Sequence, residues 1–144
     1  MKKEKKKGLK NICNLYLMSM TNITKIFNDH FTDFINDIYN VFPNNVKLLA
    51  AKNALFAIRR ANPKMILKMW ISYIAEPYKT QIESSDISFF LQKDYSNDFV
   101  DYMQSDDIMD YINMIRDPIK NMTPDNQAKA MKYIQNLSKI SALL

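Results

Sequence analysis

The sequence predicts an all-α fold, a bundle of six or seven helices around a central helical hairpin, with a flexible basic tail in front. Three observations carry that prediction. Gly8 is the only glycine among 144 residues, whereas hairpin turns and phosphate-facing loops of β and α/β folds draw on glycine for positive φ and close approach. Apolar residues recur at three- and four-residue steps, the period of one buried helix face. Asn, Ser, Asp and Pro punctuate those runs, as they do at caps and turns. With 47% hydrophobic residues, the chain has enough apolar surface to bury a core.

Residues 1–20 are read as the tail and residues 21–144 as a single helical domain. Lys2, Lys3, Lys5, Lys6, Lys7 and Lys10 face only Glu4 in the first ten residues, so the net charge of +5 sits entirely there. Like charges at this density repel, and little beside them is apolar, which predicts a disordered segment. Ile12, Cys13, Tyr16 and Met20 have helical spacing, yet an extended lead-in fits residues 11–20 equally well. Met18 and Met20 also offer alternative translation starts. The lysine-rich opening is followed by no clean apolar segment and no small-residue cleavage site, so it is not read as a signal peptide.

The first helix is expected to start near Thr21 or Asn22. Ile23, Ile26, Phe27, Phe31, Phe34, Ile35 and Ile38 share a buried face, and Asp29, Asp33 and Asp37 repeat along a wet one. Pro43 stops it. Asn44 or Asn45 caps the first arm of the hairpin, about residues 46–61, where Leu48, Leu49, Leu55, Phe56 and Ile58 fall around most of the helical wheel. A helix apolar on most sides is a central one. Pro63 opens the second arm, about 63–76, at the position where its missing N–H costs nothing. Trp70 points directly away from the polar stripe Lys64, Lys68, Ser72 and Glu76, and is expected as the deepest anchor of the core.

Pro77 ends that arm. Ser84, Ser85 or Asp86 caps the segment ISFFLQ, and Ser96 or Asn97 caps a short helix over Phe99 to Met103. A further helix over Ile108 to Arg116 is expected to break at Asp117-Pro118. Thr123, Pro124 and Asp125 sign the start of the last helix as cap, first position and first-turn acid. Ala130, Tyr133, Ile134, Leu137, Ile140 and Leu144 form its buried stripe. Lys129, Lys132 and Lys139 lie opposite.

Catalysis needs a positioned nucleophile, an acid–base pair or a metal. His30 is the only histidine and Cys13 the only cysteine, so neither a triad nor a multi-histidine zinc set is spelled out. A boundary histidine is the better reading of His30. The stretch Asp94 to Asp98 alternates oxygen side chains like the start of a calcium loop, but Phe99 stands where the loop needs glycine and Ser105 where it needs glutamate. Asp106, Asp107 and Asp110 are explained by helix starts. No cofactor, catalytic or metal site is assigned.

Basic residues remain. Residues 44–82 carry seven cations against Glu76, and residues 84–117 carry eight Asp against Lys93 and Arg116. That predicts Arg59, Arg60, Lys52, Lys64 and Lys68 pairing with the Asp-rich segment within the fold. Candidate contacts for nucleic acid or another polyanion are Lys2, Lys3, Lys5, Lys6 and Lys7 in the tail and Lys129, Lys132 and Lys139 on the last helix.

Residues 53–98, NALFAIRRANPKMILKMWISYIAEPYKTQIESSDISFFLQKDYSND, carry a resemblance. With the Asn62-Pro63 hinge, Trp70, Pro77-Tyr78 and Lys93-Asp94-Tyr95, this third of the chain resembles uncharacterised small helical proteins encoded by large nucleocytoplasmic DNA viruses (giant viruses). The Asn-, Lys- and Ile-rich composition is similar to products of such AT-rich genomes. The resemblance implies a viral source and brings no activity. The expectation is a non-enzymatic viral accessory or virion-associated protein of the host cytoplasm, acting through contact with a viral or host protein. The alternative is a nucleic-acid-binding protein using the tail and the basic face of the last helix.

Overall fold

The computed structural model describes residues 2–94 and 105–144. Seven helices pack together, and among the described residues there is no strand: α1 Lys2–Val41, α2 Val46–Ala61, α3 Met65–Trp70, α4 Lys79–Glu83, α5 Ile87–Gln92, α6 Ser105–Lys120 and α7 Pro124–Ser141. The short helix predicted over Phe99 to Met103, its cap and the calcium-like loop lie outside the described residues, as do the side chains of Asp106 and Asp107.

α1 begins at Lys2, far before the start near Thr21 that the sequence predicts. Residues 2–20 are helical and are not a separate irregular tail. The reason is local. Lys, Glu, Leu and Met are strong helix formers, no proline interrupts positions 2–41, and a Cβ placed on Gly8 meets nothing within 4 Å. Burial along α1 is uneven. Residues 10–19 are exposed, Met20 is half-buried, and the first buried residue is Thr24. Forty residues at ~1.5 Å each make a rod of ~60 Å, of which the first ~28 Å projects beyond the bundle.

The caps fall where expected. The Asn45 side chain accepts from Leu48 N–H at 3.0 Å, Asp86 from Phe89 N–H at 3.2 Å, and Thr123 from Asn126 N–H at 3.3 Å. Each satisfies one orphan donor of a helix start. α6 differs: it runs through Pro118 to Lys120 instead of stopping at Asp117. The proline occupies the last turn, where the helix has little left to lose from one missing donor.

Pro77 reshapes the second hairpin arm. After Trp70 the helix widens into a π turn over Ile71–Ala75, closed by Glu76 N–H to Ile71 C=O at 3.1 Å. A proline ring clashes with the carbonyl four residues back, here Tyr73, and removes the donor that would meet it. Widening the turn by one residue carries the chain past that clash, and Tyr78 N–H resumes the ordinary pattern with Ile74 C=O at 3.2 Å.

The hairpin is present, and α7 is the element on which most others rest: it packs against α1, α3, the π turn, α4, α5 and α6. Its buried line is Ala130, Met131, Ile134, Leu137 and Ser141. α1 and α7 run antiparallel, with Tyr133 stacked on Phe34 at one level and Trp70 bridging Phe27 and Ser138 at the next. α2 is more peripheral than its wheel predicts, since only Leu48 and Ala51 are buried. The deepest residues are Phe27, Ile35, Ile38, Leu48, Leu67 and Leu137. Trp70 is buried just outside them, edge-on to Phe27 at 6.0 Å, with its indole N–H donating to Ser138 Oγ at 3.1 Å. Ile26, predicted on the buried face, is exposed. At about 100° per residue it stands off the stripe that Phe27, Phe34 and Ile38 define.

Candidate protein-interaction surface

α1 carries one apolar face through both halves of its run from Cys13 to Ile38. At about 100° per residue, Cys13, Tyr16, Leu17 and Met20 fall within the arc of Phe27, Phe34, Ile35 and Ile38, and Ile12 stands about 40° outside its edge. In the second half of the helix that face is the centre of the core, with Phe27 and Ile35 at 0% exposure. In the first half no described residue covers it: Ile12 is 64% exposed, Tyr16 61% and Leu17 54%. Apolar side chains left singly on a surface mean little, but a continuous row of them marks a contact surface. Leu15 and Met18 are exposed on the opposite side.

The arm is also one-signed. Six lysines lie between positions 2 and 10, and no acidic residue occurs between Glu4 and Asp29. At its root the Thr21 and Thr24 hydroxyls donate to the Leu17 and Met20 carbonyls at 2.9 and 2.8 Å, keeping polar groups satisfied where the helix enters the bundle.

At the end where α7 finishes, a groove of about 700 Å³ opens between the π turn, α4 and α7. Ile71, Ala75, Ile82 and Leu144 supply its apolar lining, and Glu76 and Lys139 stand among its polar residues. The widened turn at Ile71–Ala75 shapes one wall. Pro77 was the sequence signal for it, but a proline there fits a plain helix end equally well.

The structure does not gather the predicted lysines. Lys129, Lys132 and Lys139 are exposed on α7. Because α7 runs antiparallel to α1, with Tyr133 beside Asp37, Lys129 and Lys132 lie some 45 Å along the α1 axis from the lysine-rich end of the arm. Lys139 is nearer, at the groove.

Among the described residues, Arg59 finds its partner outside the Asp-rich segment where it was predicted. It pairs with Asp29 of α1, and donates to Thr32 Oγ1 at 2.8 Å and Asn28 C=O at 3.2 Å. Asn28 in turn donates to Pro63 C=O at 2.8 Å, so the hinge is fastened to α1 through these groups. The guanidinium of Arg59, with Lys25 second, holds the Asp29 carboxyl below its ordinary value. Lys52 lies over the rings of Tyr39, at 4.6 Å, and Phe56. Two of the cations expected to pair with the Asp-rich segment are therefore used against α1 and against aromatic rings.

His30 is a boundary residue packed on the Tyr133 ring at 4.9 Å. The Tyr133 hydroxyl donates to Asp37, and burial, then that carboxylate, push its pKa up to about 12. Among the described residues no three His, Cys, Asp or Glu side chains stand close enough to hold a metal, and no helix is long and apolar enough to cross a membrane. No protein family, no curated protein and no solved structure matches the chain.

Proposed function

We propose that this is a non-enzymatic interaction protein, an accessory or virion-associated component of a large DNA virus, which binds another protein through the projecting half of α1. The observation that carries the reading is the exposed apolar pair Tyr16 and Leu17, in register with the core stripe, with exposed Ile12 beside it. A row of this kind left in water loses ~25 cal/mol for every Å² that a partner would cover. The viral setting rests on the resemblance of residues 53–98 and on composition, and places the protein in the host cytoplasm.

The lysine-rich end supports a second reading, contact with nucleic acid, through the arm alone. Such contact is electrostatic and falls steeply with salt. Two measurements separate the readings. Affinity purification from infected cells, comparing the full chain with a Tyr16→Glu, Leu17→Glu variant, should lose a specific protein in the variant. Binding to DNA or RNA at low salt that survives those substitutions and disappears on deletion of residues 2–10 would favour nucleic acid instead.

A further inference from the structure

The cations that the fold leaves unused meet at the hinge between α2 and α3. Arg60 stands in the last turn of α2, and Lys64 and Lys68 follow, one turn apart, at the start of α3. All three are exposed, and among the described residues none of them forms an ion pair. The bond from the Asn28 amide to Pro63 C=O holds this hinge against α1. Lys25 lies one turn before Asn28, so its backbone stands within ~17 Å of that of Lys64. Its ammonium, at 2.9 Å, and the Arg59 guanidinium share the two carboxylate oxygens of Asp29.

Five cations therefore gather at one end of the bundle. Asp29 is the one carboxylate paired with any of them among the described residues, and it already serves two. Glu76, the next acid along the stripe of Lys64 and Lys68, comes two turns beyond Lys68. The repulsion among Arg60, Lys64 and Lys68 is thus left to counterions, and their release is what drives a polyanion onto such a surface. The arm continues it. Exposed Lys10 stands about five full turns before Asn28, on the flank of α1 that the hinge occupies, ~27 Å away. Hinge and arm make two walls of a corner, with cations on both.

We infer that this corner binds the sugar–phosphate backbone of a nucleic acid without reading its sequence. A duplex carries about one negative charge per 1.7 Å of its axis, so a span of ~17 Å offers a phosphate to each of the five cations. A rod-shaped polyanion can lie in the corner against both walls, whereas a flat anionic membrane would bridge it. The hinge presents long flexible side chains that suit phosphates more than base edges. The surface uses residues other than Tyr16 and Leu17, so the inference goes beyond the protein-contact reading and does not depend on it.

Fluorescence anisotropy on the full chain tests it, with a labelled DNA duplex of about 20 base pairs at about 50 to 200 mM salt. Binding should be strongest at low salt and weaken steeply as salt rises. The triple variant Arg60→Gln, Lys64→Gln, Lys68→Gln should bind at least ~30-fold more weakly at low salt, with the log–log salt slope reduced by about 2 to 3. Three charges removed from α7 by Lys129→Gln, Lys132→Gln and Lys139→Gln should change that slope by less than about 1. A chain with Lys2, Lys3, Lys5, Lys6 and Lys7 all changed to Gln should still bind, and the hinge substitutions should weaken it further. Circular dichroism on every variant keeps a folding defect from mimicking the result.

No binding by the native chain at low salt would overturn the inference. Equal losses in the two triple variants would do the same, because net charge alone would then explain the binding. A hinge variant as tight as the native chain would leave the arm as the only contact. Preference for vesicles containing phosphatidylserine over the duplex would replace nucleic acid with a membrane.

Discussion

The two halves of α1 share one backbone geometry and one apolar stripe, and only one of them is covered. From Thr24 to Ile38 the stripe meets α7, α2 and α3 and becomes the core. From Ile12 to Met20 it meets water. The difference teaches that the register of a helix and its burial are separate facts. Register follows from the spacing of apolar side chains within the segment. Burial depends on whether another element of the same chain has the length and direction to reach it. α7 ends near the level of Thr24, and no other described element extends further along α1.

The sharpest test removes a side chain from each half. Phe27→Ala should destabilise the fold by ~3–5 kcal/mol in urea denaturation, since the ring is fully buried and supports Trp70 edge-on. Trp70→Ala should fall in the same range and also remove the indole donor to Ser138, whose hydroxyl keeps its bond to Ile134 C=O. A loss under ~1 kcal/mol at Phe27 would mean that the covered half is not the core.

One step smaller is the fastening of the covered half to the hairpin hinge. Arg59→Ala should cost about 1–2 kcal/mol, because it removes three partly buried donor contacts at once and leaves Asn28 C=O and Thr32 short of a partner. Arg59→Lys should recover only part of this, since an ammonium cannot span Asp29, Thr32 and the carbonyl together. Full recovery would show that charge alone matters at this position.

Much of this was legible in the sequence, and the omissions have physical causes. Asn45, Asp86 and Thr123-Pro124 declared their caps because capping is settled within three or four residues. The stripe Phe27, Phe34, Ile35 and Ile38 declared itself by spacing. The start of α1 was missed because repulsion among the lysines was weighed without the helix propensity of the same residues. The π turn was missed because Pro77 is compatible with either a stop or a widened turn, and packing against α7 decides between them. For the candidate surface, the spacing of Ile12, Cys13, Tyr16 and Met20 was visible. Their exposure was not, since it depends on where α7 ends. The partner of Arg59 was equally hidden, because Asp29 is thirty residues away and charge totals do not identify pairs.

Acid should act on the covered half and spare the arm. The folded-state pKa of Asp29 lies below its ordinary value, so its ion pair contributes stability that is present above pH ~4 and is lost as pH falls through the depressed value. The carboxylate is 48% exposed, and solvent screening keeps the contribution to about 0.5 kcal/mol. Asp29→Asn should flatten the acid limb of the stability profile by that amount. An unchanged limb would mean that Arg59 holds α1 through Thr32 and Asn28 alone.

The smallest effect is expected in the uncovered half, where a null result is the informative one. Tyr16 lies three turns before Phe27 on the same face, and at high dilution its ring touches nothing that folding buries. Tyr16→Ala should change the stability of the dilute chain by less than ~0.5 kcal/mol, the ordinary range for a surface substitution. A dilute-chain loss above ~1 kcal/mol would place Tyr16 against the chain's own bundle, and the two halves of α1 would then differ in nothing but the length of the core they serve.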